Sequence, residues 1–196
     1  MKDPVEELVT TVLSQNTNDK NRDRAFSSLI NRFGSLERVA EAPADEIAEA
    51  IKIGGLHNQK SVRIRNLLMQ IMRKQGSLDI SFLEGMSLDM AMDWLMSFPG
   101  VGRKTAGIVM LFSFGKPYFP VDTHIRRIAK RLGIVNPKED PHDKMNKILP
   151  KNTLMMQQLH LHMLRLGREI CHPRSPACAD CPLSEHCPSS NDMQAA

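Results

Sequence analysis

Apolar residues recur at helical spacing along most of this chain and hardly anywhere at the alternating spacing of a strand. The sets are Leu8, Val9, Val12, Leu13; Ile64, Leu67, Leu68, Ile71; Leu88, Met92, Leu95; and Leu154, Leu161, Leu164. Each forms a stripe that must be buried against another helix. Start and stop residues frame these runs. Pro4 and Pro43 stand at first helical positions, Ser35 and Ser87 at N-caps, and Gly34, Gly54, Gly76 and Gly133 where helices end. The expected fold class is all-α, with roughly nine or ten helices joined by short turns. The 13 methionines fall mostly on helical faces, where they fill irregular gaps in a core.

At 196 residues and 41% hydrophobic, the chain can bury a core without help from metal or disulfides. The longest apolar stretch, Ile108 to Phe114, is far short of the roughly 20 residues of a membrane span. Lys2, Asp3, Glu6 and Glu7 interrupt the first residues, as no signal peptide allows. The expectation is no membrane and a cytoplasmic (nucleoid-associated) place in a prokaryote, or a nuclear one. A net charge of +4 is compatible with a polyanionic partner. The helical pattern breaks at Gly115-Lys116-Pro117 and gives way to a Cys- and Pro-rich tail after Gly167. Two domains are expected, 1–116 and 117–196.

All four cysteines lie in that tail, as Cys171-x6-Cys178-x2-Cys181-x5-Cys187. Without an oxidising compartment, four crowded thiols favour metal over disulfides. Spacing alone leaves a [4Fe–4S] cluster and zinc both open. Either would be a closed, structural site.

Phe98-Pro99-Gly100-Val101-Gly102-Arg103-Lys104-Thr105-Ala106 follows one amphipathic helix and opens another. Pro-Gly-x-Gly makes a tight hairpin whose backbone N–H groups, at a helix N-terminus, suit a phosphate without reading sequence. The residues between glycines that a nucleotide-binding P-loop requires are missing. Lys104 is a surface lysine or, in the more specific reading, a nucleophile; burial, Arg103 and the helix N-terminus all favour the neutral amine that chemistry needs. Asp122 is an N-cap for the helix carrying Arg126, Arg127, Lys130 and Arg131. Capping leaves its carboxylate able to stabilise positive charge on a sugar. The four basic residues are a solvated face or a phosphate contact.

Hairpin, lysine, aspartate and cysteine tail together resemble the endonuclease III family of helix–hairpin–helix DNA glycosylases. The resemblance spans nearly the whole chain, including Leu13 to Asp19, Ile53 to Lys60, Gly102-Arg103-Lys104-Thr105-Ala106 and Val121-Asp122-Thr123-His124. It implies a helical barrel domain and a [4Fe–4S] domain with the active-site cleft between them, the cluster held by Cys171, Cys178, Cys181 and Cys187. Lys104 matches the family's Schiff-base nucleophile and Asp122 its catalytic aspartate. The family's DNA contacts correspond here to Gln15, Asn16, Leu56, His57, Gly100, Val101, Gly102, Arg103, Thr105, His124 and Arg126. Of these, Gln15, Asn16 and Leu56 fall in segments that in the family reach into the duplex beside a flipped nucleotide; read alone, Gln15 or Asn16 could end the first helix and Leu56 could belong to the core.

The implied function is a monomeric DNA glycosylase/AP lyase of base excision repair that removes oxidised pyrimidines from double-stranded DNA. Its rivals are a monofunctional mismatch glycosylase and a non-catalytic DNA-binding module with a structural metal. The family usually has a further helical segment before the position of Asp3-Pro4 that this sequence does not show, so the expectation is either a cluster domain that packs less completely or a shortened sequence.

Overall fold

Ten α-helices account for most of residues 3–190, the part described by the structure, a computed structural model; no strand occurs among them. The chain divides into two compact units, Met1–Phe114 and Gly115–Ala196.

The first unit is built around α1 (Pro4–Leu13), which Asp3 caps by accepting from the N–H groups of Val5 and Glu6. Val5, Leu8, Val9, Val12 and Leu13 are buried, as are Thr10 and Thr11, so this helix is enclosed on nearly every side. The Thr10 hydroxyl satisfies itself by donating to the Glu6 carbonyl, 2.9 Å away. Around α1 lie α2 (Asp19–Phe33), α5 (His57–Gln75) and α7 (Arg103–Phe112). The short α3 (Leu36–Glu41) and α4 (Ala44–Ala50) pack on α5, while α6 (Leu88–Met96) packs on α7. Ser35 and Ser87 are N-caps, as their sequence position suggests. Pro43 sits one residue earlier than expected, at the N-cap of α4 rather than inside it.

The second unit holds α8 (Thr123–Arg131), α9 (Pro141–Ile148), α10 (Thr153–Glu169) and the cysteine tail, which winds through two 3-10 turns, Cys178–Asp180 and Ser184–His186. Helix α10 contradicts the face expected from its leucines. Leu154 and Leu161 are 64% and 55% exposed, whereas Met156, His160, Met163 and Gly167 are buried. Close approach of α8 decides this: a Cβ on Gly167 would lie 2.6 Å from the Cβ of His124, so only glycine permits the contact. His160 is accommodated inside by its Nδ1 lying 3.1 Å from the Pro120 carbonyl.

Candidate nucleic-acid interface and cluster loop

Helix α6 ends at Ser97, and the chain reverses through Phe98-Pro99-Gly100-Val101-Gly102 into α7. Phe98 and Val101 anchor this hairpin in the core, and the Val101 N–H donates to the Phe98 carbonyl over 3.1 Å. Gly100 adopts φ +86°, a conformation other residues rarely hold. Gly102 is the N-cap of α7 and has no side chain to cap it. Both glycines are exposed, with open space where a side chain would stand, so a phosphate can reach the backbone at the positive end of α7. Arg103 and Lys104 follow in the first turn, each half-buried. Thr105, expected at the DNA, is only 6% exposed, which leaves its backbone rather than its hydroxyl for such a contact.

Two further loops of the same unit carry four more of the expected contacts, Gln15, Asn16, Leu56 and His57. After α1, Gln15 is half-buried and accepts from Arg63 Nη1 over 2.8 Å, and exposed Asn16 has φ +52°. Ahead of α5, Leu56 has φ +48° and ψ +32° and is 46% exposed. A leucine in the left-handed region and on the surface is unfavourable on both counts, the kind of strain that clusters at functional sites. The structure brings these loops together, since α5 supplies both His57, beside Leu56, and Arg63. Arg63 and the buried Lys60 that also joins them were not singled out in the sequence; a lysine at a helical core position, four residues before Ile64, was the available signal.

In the second unit, half-buried Asp122 caps α8 by accepting from the Ile125 N–H over 2.8 Å. The basic residues of α8 divide into two pairs. Arg126 and Lys130 are exposed. Arg127 instead turns inward, donating from Nε and Nη2 to the Cys171 carbonyl and from Nη2 to the Gly167 carbonyl. His124 Nδ1 lies 3.1 Å from Arg127 Nη2. Arg131 donates to Cys171 Sγ and to the carbonyls of His172 and Pro173. Arg127 and Arg131 are therefore props of the tail, not a phosphate-facing surface.

Cys171, Cys178, Cys181 and Cys187 are half-buried free thiols lining one small cavity of about 30 Å³, together with Arg131, Ile170 and Ser190. The Ser190 hydroxyl is buried and without a hydrogen-bond partner among the described residues. Among those residues no three His, Cys, Asp or Glu groups converge on a single ion. Four thiols around one cavity are the donor set that a [4Fe–4S] cluster takes, one thiolate to each iron.

A glycine hairpin stands at a helix N-terminus in the first unit and a four-thiol loop in the second, and comparison with known proteins gives the class of protein that carries both. Residues 9–153 match the family described as HhH-GPD superfamily base excision DNA repair protein. The chain belongs to that superfamily. Residues 171–187 match the iron–sulfur binding domain of endonuclease III. The chain is 35% identical to endonuclease III of Thermotoga maritima over 187 residues, covering 94% of this chain and 83% of that protein. It is 32% identical to endonuclease III of Bacillus subtilis, with 94% and 80% covered. A solved structure of a non-covalent endonuclease III–DNA complex superimposes with a TM-score of 0.83 at 28% identity, covering 100% of this chain and 88% of that one. A thermostable thymine-DNA glycosylase shares the fold, with a TM-score of 0.80 at 22% identity. The chain is thus an all-helical DNA glycosylase of base excision repair, and its cofactor is a [4Fe–4S] cluster. No helix among the described residues is long and apolar enough to cross a membrane.

Proposed function

We propose that the protein is a bifunctional glycosylase that removes oxidised pyrimidines from double-stranded DNA and then nicks the strand at the abasic site. The observation that carries this reading is the position of Lys104, the second residue of α7, directly behind the open Gly100–Gly102 hairpin. Backbone N–H groups that grip one phosphate set the neighbouring amine beside the adjoining sugar.

The neutral Lys104 Nζ attacks C1′, and the C1′–N bond electrons leave with the base, which takes up a proton. Opening of the sugar ring gives an imine between Nζ and C1′. Loss of a C2′ proton then expels the 3′ phosphate, and water releases the lysine. The Asp122 carboxylate stabilises positive charge developing on the sugar and accepts the amine proton. Arg126 and His124 on α8 contact the backbone, while Gln15, Asn16 and Leu56 occupy the stack beside the everted nucleotide. Cys171, Cys178, Cys181 and Cys187 would hold the cluster, which would cross-link the tail that Arg127 and Arg131 already brace. The protein works as a monomer in the compartment that holds the genome.

A duplex with one oxidised pyrimidine tests the reading by its products. Nicking to the same extent before and after hot alkali is expected. Cleavage only after alkali would make the enzyme monofunctional, and tight binding with neither product would leave a DNA-binding module.

A further inference from the structure

Lys60 is one of the largest fully buried side chains among the described residues, 1% exposed, and the proposed chemistry makes no use of it. Its Nζ donates to the Leu13 carbonyl over 2.8 Å and to the Gly54 carbonyl over 2.7 Å. Leu13 is the last residue of α1, and Gly54 the last of the 3-10 turn Lys52–Gly54. One ammonium therefore closes two helix ends, whose carbonyls carry partial negative charge. Each gripped carbonyl lies two residues ahead of a loop residue expected in the duplex, Gln15 in one case and Leu56 in the other. The Lys60 backbone N–H donates to the Leu56 carbonyl as well, over 3.0 Å.

The arrangement is costly by itself. Lys60 stands in the first turn of α5, where the helix's own dipole opposes a cation, and burial strips its water. A methionine would fill the same space without either penalty. Packing does not explain the lysine, but holding two strained loops at a fixed separation does, because Asn16 and Leu56 both have positive φ and need their surroundings to keep them there.

We infer that Lys60 is a positioning residue for the DNA wedge: its ammonium ties the α1 end to the Gly54 turn and so presents Gln15, Asn16 and Leu56 as one preformed insert. The inference rests on the proposal that these residues enter the duplex.

A double-mutant cycle tests it with Lys60→Met, Leu56→Ala and the pair. Excision from a single-lesion duplex should fall about tenfold in each single variant and no further than about tenfold in the double. Borohydride trapping by Lys60→Met on a single-stranded abasic oligonucleotide, which needs no wedge, should stay within about twofold of wild type. Losses that multiply in the double variant, or an equal loss on single strands, would overturn the inference by showing a general structural role. If Leu56→Ala alone leaves duplex excision unchanged, the wedge reading itself fails and takes the inference with it. Should Lys60→Met not fold, Lys60→Gln, which keeps a donor for one carbonyl, enters the same cycle.

Discussion

Arg131 Nη1 donates to the Sγ of Cys171 across 3.1 Å, joining α8 to the first cysteine of the tail. A guanidinium beside a cluster thiolate stabilises the more negative, reduced cluster and shields the sulfur from solvent. In Arg131→Met the reduction potential should fall, read by voltammetry, and absorbance should bleach faster in air. Purified wild type should be yellow-brown with about four irons per chain. Colourless protein holding one zinc would remove the cluster from the account.

Gly167→Ala is expected to destabilise the protein by about 1–3 kcal/mol, because the new methyl would meet His124 and the helices cannot separate freely. Thermal unfolding checks this. A midpoint unchanged within a degree would mean that α8 and α10 adapt easily.

Arg126 and Arg127, adjacent in sequence, should behave differently. Arg126→Ala should weaken binding to all duplexes alike and reduce the salt slope by about one. Arg127→Ala should leave that slope near wild type and instead lower the unfolding temperature, since its donors satisfy the carbonyls of Gly167 and Cys171. Salt titrations of both variants beside their melting curves separate the two roles.

These arginines also show what the sequence could reveal. Helical periodicity, the hairpin and the cysteine spacing are local properties, so the helices, the caps at Ser35 and Ser87 and the cluster loop were all legible. Which arginine of α8 faces solvent depends on the carbonyls of a tail some forty residues away. The phase of α10 was misread for a related reason. Leu154 and Leu161 share a spacing of seven with Met156 and Met163, and only the His124–Gly167 contact selects the second stripe. The place of Lys60 four residues before Ile64 marks a core position in sequence, but that two helix ends enclose its ammonium depends on Leu13, far away along the chain.

Burial lowers the Lys60 pKa below that of an ordinary lysine. The unfolded chain then binds more protons than the folded one in the window between the lowered value and about 10.4. Wild type should therefore gain stability from this group as pH rises through that window, and lose that gain as pH falls back through it. Denaturant midpoints of wild type and Lys60→Met across alkaline pH should show the slope in wild type alone. Parallel curves would mean the site does not discriminate between charged and neutral amine.

Covalent capture of the sugar tests the central claim most directly. Wild-type protein incubated with abasic duplex and borohydride should yield a protein–DNA adduct, and peptide mass mapping should place the modification on Lys104, with none formed by Lys104→Ala. An adduct on another residue, or undiminished trapping by Lys104→Ala, would contradict the account.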